Sequence, residues 1–277
     1  MDAPGREGDD IFDIAVSQDG KWIVAGTDTY AGVWNAETHE NVLRFGGYQG
    51  MYGVDVSPDG TRIAAGTNSW TAGVFLLSNG QRLLGPWRHE YHAVSAIKFS
   101  PDGRLIATAT WWRTSVRVYD SQDGHLLVDF PIQVSSLLNK SLAWAPNSKQ
   151  LFALSFDGNV HCLDVYTERS LSKWSIHTGD VDRGCIALAP NGRFVACSAD
   201  SSVSFWDTVT HHKIGPVLEH GDVVRSMNIS ANYKIVTGAG KTITLWNLHD
   251  LLPSLYLVDV SLPALHRPYQ TDRNYFE

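Results

Sequence analysis

The chain has 277 residues, of which 43% are hydrophobic and 18% are charged, and its net charge at pH 7 is −7. This composition predicts a folded core and argues against sequence-independent nucleic-acid binding, which needs clustered Lys and Arg. Its three cysteines lack metal or redox spacing, and neither an apolar leader nor a long apolar run occurs. We therefore expect an intracellular, cytoplasmic protein with no membrane contact and no cofactor.

A turn tripeptide recurs six times along the chain at a period of roughly 40 to 45 residues. The copies are Gln18-Asp19-Gly20, Pro58-Asp59-Gly60, Pro101-Asp102-Gly103, Pro146-Asn147-Ser148, Pro190-Asn191-Gly192 and Ala231-Asn232-Tyr233. A second mark follows each turn at a similar distance. These pairs are Trp34-Asn35, Phe75-Leu76, Tyr119-Asp120, Leu163-Asp164, Trp206-Asp207 and Trp246-Asn247.

A turn and a terminal Trp-Asp at this period are typical of one four-stranded propeller blade per repeat. On these marks the chain resembles the WD40-repeat family over about residues 11–259, and its repeats are similar to those of fungal WD40 arrays. The best copy reads ALAPNGRFVACSADSSVSFWD at residues 187–207. The resemblance implies an all-β, WD40-type β-propeller with six recognisable four-stranded blades. An open ring and a seventh blade stay open as alternatives.

The domain organisation follows from the same marks. We expect a polar N-terminal extension over residues 1–10, a propeller of six repeats over 11–259 and a C-terminal tail over 260–277. Each repeat should supply strands a, b, c and d in chain order. In the first repeat the apolar runs predict these strands at about 11–17, 21–27, 31–35 and 41–45.

The fifth repeat contains four polar residues in phase with its strands: His177, Ser198, Asp200 and Trp206. They resemble the WD40 structural tetrad, in which an indole N–H, a hydroxyl, an imidazole and a carboxylate hydrogen-bond in series. The resemblance implies a stabilising network and no catalytic relay, so we expect Asp200→Ala to lower the melting temperature.

Paired histidines can ligate zinc, so His89 with His92 and His211 with His212 are the candidate metal ligands of the sequence. Neither pair has Cys or acidic companions at zinc-site spacing apart from Glu90. The sequence therefore predicts no metal site.

The loops of the second and third repeats are unusually aromatic. Strand direction reverses at every turn, so all b–c and d–a loops should share one rim of the propeller. Trp, Tyr and Arg are frequent interface hot spots, and this rim is our predicted partner-binding site. Its candidate residues are Trp70, Trp111, Trp112, Arg113, Tyr52, Tyr91 and His92.

The favoured function is a non-catalytic WD40-type scaffold or adaptor that binds other proteins, alone or within a larger multidomain protein or complex. A first alternative is a reader of peptides or modified tails, in which Trp70, Trp111, Trp112 and Tyr52 would form a cage for a cationic side chain. A second is a propeller enzyme, such as a hydrolase or a quinone-dependent dehydrogenase. It is disfavoured because the starts of strands a carry no repeated His or acidic residue.

Overall fold

The computed structural model describes residues 10–46, 50–89, 92–110, 115–134, 141–181 and 183–258. These residues form strands β1 to β23 in six antiparallel sheets, each built from consecutive strands. The sheets are the blades of a propeller, as the sequence predicts. Most of the predicted N-terminal extension and the whole predicted tail lie outside the described residues.

The first three blades have four strands each. The first contains β1 (Ile11–Val16), β2 (Trp22–Thr27), β3 (Ala31–Asn35) and β4 (Asn41–Phe45). The second contains β5 (Met51–Val56), β6 (Arg62–Thr67), β7 (Thr71–Leu76) and β8 (Arg82–Arg88). The third contains β9 (Val94–Phe99), β10 (Leu105–Thr110), β11 (Val116–Asp120) and β12 (Leu126–Phe130).

The fourth and fifth blades repeat this plan. The fourth contains β13 (Leu142–Trp144), β14 (Gln150–Leu154), β15 (Asn159–Asp164) and β16 (Arg169–Ser175). The fifth contains β17 (Ile186–Leu188), β18 (Phe194–Ala199), β19 (Ser202–Asp207) and β20 (Lys213–Glu219). The strands of the first blade lie within one residue of their predicted bounds.

The sixth blade is described over three strands. It contains β21 (Val224–Ile229), β22 (Lys234–Ala239) and β23 (Thr242–Asn247), and the described residues add no fourth strand to it. After β23 the chain forms two short 3-10 helices, Leu248–Asp250 and Ser254–Tyr256. This segment turns back onto the fifth blade, where Asn191 donates from Nδ2 to the carbonyl oxygen of Tyr256 at 2.8 Å.

The a–b turns form because their side chains satisfy the backbone locally. In the third blade the Ser100 hydroxyl donates to Oδ1 of Asp102 at 2.6 Å, and the same oxygen accepts from the backbone N–H of Arg104 at 3.1 Å. Gly103 takes a φ of 71°, which glycine adopts without strain. The same Ser-x-Asp-Gly arrangement recurs in the first two blades, so the recurring turns of the sequence are a–b hairpins.

The core lies between adjacent blades. Successive side chains of a strand point to opposite faces of the sheet. In each blade one face is turned toward the preceding blade and the other toward the following blade. Strand β10 is buried along its whole length because neighbours cover both of its faces. Five hydrophobic clusters each combine residues of two consecutive blades.

Candidate partner-binding rim and the polar networks beneath it

Trp70 lies in the b–c turn of the second blade, on the rim that carries the b–c and d–a loops. Its φ is 63°, and 47% of the residue is exposed. Its carbonyl oxygen accepts a hydrogen bond from the backbone N–H of His89 at 2.8 Å, which ties the turn to the next d–a loop. A rigid backbone therefore presents this large aromatic side chain at the rim.

Tyr52 does not lie in a loop. It belongs to β5, where its ring packs on Phe12 with centroids 4.5 Å apart. Trp87, an aromatic residue just before the next d–a loop, belongs to β8 and stacks on Tyr119 with ring centroids 4.4 Å apart. The sequence did not reveal either contact, because it does not distinguish an aromatic residue at the end of a strand from one in the adjoining loop.

Among the other candidates, His92 lies in the loop before β9 and is half-buried. Tyr91, Trp111, Trp112 and Arg113 lie outside the described residues, and their role on the rim stays a prediction. The described part of the candidate site therefore consists of Trp70 and Tyr52, which belong to the second blade, and His92, which lies in the loop that follows this blade.

Beneath the rim of the third blade, three side chains form a polar network. His89 Nε2 lies 3.4 Å from the Thr108 hydroxyl and 3.5 Å from the hydroxyl of Tyr119. His89 is almost fully buried, and this burial, helped by the nearby Arg117 charge, lowers its pKa to about 4. The imidazole is therefore neutral at pH 7 and lies within hydrogen-bond distance of side chains on β10 and β11.

The sixth blade contains the same network. His220 Nε2 lies 2.8 Å from the Thr237 hydroxyl, which also accepts from the indole N–H of Trp246 at 3.4 Å. The b–c turn has Gly240 where an acidic side chain was expected. Asp222, from the preceding d–a loop, fills that space, with Oδ2 only 2.5 Å from the position of a Cβ on Gly240.

In the fifth blade the structure joins different atoms from those expected. The Trp206 indole donates to the Ser204 hydroxyl at 2.8 Å, while the Ser198 hydroxyl accepts from the backbone N–H of Cys185 at 2.8 Å. Register explains this. Trp206 pairs with Val195, so Cys197 shares its face and Ser198 points to the other one. Cys197 thus takes the place that Thr108 and Thr237 hold in their blades.

His177 is also one residue away from the network position. His89 and His220 each donate a backbone N–H to the residue before a strand c, and in the fourth blade Ile176 makes the equivalent bond to Gly158 at 2.9 Å. An apolar side chain therefore stands where the imidazole would be. Asp200 is exposed in the b–c turn with a φ of 51°.

Strands a of the first three blades are joined by the buried carboxylate of Asp13 and the half-buried carboxylate of Asp55. Oδ2 of Asp13 accepts from the N–H of Val54 at 2.9 Å, and Oδ2 of Asp55 accepts from the N–H of Phe99 at 2.8 Å. Lys98 lies 3.4 Å from Asp55. Burial acts to lower the pKa of Lys98, but the carboxylates of Asp55 and Asp13 outweigh it and raise that pKa. The ammonium is therefore a structural partner of the carboxylates.

The thiols show no sign of activation. Burial raises the pKa of Cys162 to about 11 and raises that of Cys197 still further, so both stay protonated at pH 7. Among the described residues no cluster of three or more His, Cys, Asp or Glu could hold a metal ion. None of their helices is long and apolar enough to cross a membrane.

Three segments of the chain match the family model of the WD domain, G-beta repeat: residues 4–35, 85–120 and 168–207. Each matched segment ends on the last residue of a strand c, namely that of β3, β11 or β19. The matches therefore fall in phase with the blades.

The chain is also similar to curated proteins. It is 25% identical to Actin-interacting protein 1 of Drosophila melanogaster over 86% of this chain and 40% of that protein. It is 26% identical to a guanine nucleotide-binding protein subunit beta of Arabidopsis thaliana over 60% of this chain and 44% of that one. For the mitotic checkpoint protein bub3 of Dictyostelium discoideum, identity is 28% over 44% of this chain and 39% of that protein. The chain spans less than half the length of these relatives.

Proposed function

We propose that this chain, a WD40-repeat β-propeller, is a non-catalytic scaffold that binds protein partners on its b–c and d–a rim. The names of two relatives support the general role, since one is an actin-interacting protein and another is a subunit of a guanine nucleotide-binding protein. WD40-type propellers are rigid bodies whose variation lies in their loops, and binding residues concentrate on loops held by such scaffolds.

The exposed ring of Trp70 is the observation that carries the binding site. Trp70 combines a left-handed φ, which glycine adopts more readily, with a large side chain that leaves apolar surface in water. Trp is also strongly enriched among interface hot spots. Its place on the rim is therefore best explained by a partner.

The experiment compares capture by three versions of the immobilised chain: wild type, Trp70→Ala with Trp112→Ala, and Tyr166→Ala. Tyr166 is a matched control, because it is an exposed aromatic residue in the c–d turn of the fourth blade, on the opposite rim. We expect quantitative mass spectrometry to show proteins that the tryptophan variant loses and the Tyr166 variant keeps. Equal capture by all three folded proteins would refute the rim site.

The aromatic-cage alternative has less support. A cage needs several aromatic faces that are free to surround a cation, whereas Tyr52 already packs against Phe12. Calorimetric titration of trimethyl-lysine peptides into wild type and Trp112→Ala separates the two ideas. Binding that the substitution abolishes would favour the reader over the general scaffold.

A further inference from the structure

Contacts between consecutive blades use the same two surfaces. We call the front face of a blade the one toward the next blade, and the back face the one toward the preceding blade. Each strand c ends on the second recurring pair of the sequence, such as Trp34-Asn35 in the first blade. Two front-face positions lie one and three residues before the first residue of that pair. In the first five blades both are buried. They are Ala31 and Val33, Ala72 and Val74, Val116 and Val118, Val160 and Cys162, and Val203 and Phe205.

The sixth blade breaks this rule at the same register. Its front-face residues Ile243 and Leu245 are 81% and 63% exposed, although they are larger than most of their buried equivalents. Val236, which pairs with Leu245 across the sheet, is also exposed. The sixth blade therefore has an apolar front face of the kind that another blade covers elsewhere in the chain.

The first blade shows the same departure on its back face. Ile14 and Val16 of strand a are 50% and 58% exposed. The residues in the same register of the second blade, Val54 and Val56, are buried, as are Ile97 and Phe99 in the third. Within the part of the chain that the structure describes, one front face and one back face are thus uncovered.

We propose that these two faces bind each other between copies, so that the front face of the sixth blade packs on the back face of the first blade of a second copy. The same kind of front-to-back contact already joins successive blades within the chain, so the two surfaces are complementary in type. Exposed apolar patches of this kind mark association sites, and a front-to-back contact is a heterologous, head-to-tail interface.

The described residues after β23 lead away from the front face of the sixth blade. Leu252 and Leu257 are buried in the cluster shared by the fifth and sixth blades. A second copy carries both of the surfaces that the proposed contact needs.

The test measures mass in solution by light scattering across a range of concentrations. We expect the wild-type chain of 30.6 kDa to form species of twice that mass or more, and we expect Ile243→Asp and Val16→Asp each to give monomers only. The control is Val209→Asp, in the c–d turn of the fifth blade, where an equally exposed valine lies on neither face. This variant should associate like the wild type.

Mixing the two monomeric variants gives the decisive result. Ile243→Asp keeps its back face and Val16→Asp keeps its front face, so the mixture should form a dimer and nothing larger. A dimer also proves that both variants are folded. The proposal is overturned if the wild type stays monomeric, if either substitution leaves association intact, or if the folded variants stay monomeric when mixed.

Discussion

The fifth and sixth blades are neighbours with the same strand register, yet they differ in packing and in polar bonding. The fifth has four strands and two covered faces, but Cys197 and Ile176 stand where the network needs a hydroxyl and an imidazole. The sixth has three described strands and one uncovered face, but it joins His220, Thr237 and Trp246 in a polar network.

This difference shows that the two sources of stability are independent. The network lies on the back face and needs only the preceding d–a loop, so an uncovered front face does not disturb it. Burial of the front face depends entirely on a following blade. The fifth blade is therefore stabilised by apolar packing on both faces, whereas the sixth combines one packed face with a local polar network.

The largest effect should come from matched truncations on the two front faces. Phe205→Ala removes a fully buried ring and should lower the free energy of unfolding by about 3–5 kcal/mol. Leu245→Ala, at the same register in the exposed blade, should change it by less than about 0.5 kcal/mol in the monomer. Urea denaturation measures both, and equal losses would show that the sixth blade is covered in solution.

Lowering the pH should reduce the free energy of unfolding through the buried His89 of the third blade. The folded pKa of His89 is about 4, below the unfolded value of 6.5, so between these values the unfolded chain binds a proton that the folded chain does not. Stability is complete above pH 6.5 and falls as the pH drops toward 4, by about 3 kcal/mol for this residue. His161, whose pKa burial also lowers, adds in the same direction.

Denaturation curves between pH 7 and pH 4.5 test this contribution. The variant His89→Gln should have a flatter pH dependence than the wild type, while the exposed control His125→Gln should keep the wild-type slope. An unchanged slope in His89→Gln would mean that His89 is protonated in the folded protein.

A smaller effect is expected where the network is partly exposed. Thr237→Val deletes the hydroxyl shared by His220 and Trp246 and should lower the free energy of unfolding by about 1–3 kcal/mol. Thr242→Val, on an exposed position of the next strand, is the control and should stay within about 0.5 kcal/mol of wild type. If both variants unfold alike, the network contributes nothing measurable.

The smallest effect concerns the b–c turns. Asp200 takes a φ of 51°, and the sixth blade has Gly240 with a φ of 56° at the same place. We expect Asp200→Gly to raise the free energy of unfolding by up to about 1 kcal/mol by relieving strain, and Asp200→Ala to lower it slightly. A large loss on Asp200→Gly would instead support the tetrad role that the sequence suggested.

The strands were predictable because their ends are set by local chemistry. Turns such as Ser100 to Gly103 satisfy their own backbone, so the sequence alone places them. The network members were harder, because a slip of one residue moves a side chain to the other face. The signal was present: pairing through the Asp200-Ser201 turn puts Trp206 opposite Val195 and so selects Cys197 instead of Ser198.

Two features depended on tertiary structure and could not be predicted locally. The inward packing of Trp87 on Tyr119 depends on the relative positions of two blades. The segment around Leu252 and Leu257 docks on the fifth blade and adds no fourth strand within the described part of the sixth, which depends on contacts between two blades. Neither follows from periodicity, because both repeats carry their usual marks.

The carboxylates of Asp13 and Asp55 have a consequence for the order in which the blades fold during synthesis. Asp13 and Asp55 each belong to an earlier blade and accept from an N–H of the blade that follows. A nascent chain therefore exposes its acceptors first, and each new strand a finds a partner already in place. Folding that spreads from the N-terminus, blade by blade, would leave these carboxylates unpaired for the shortest time.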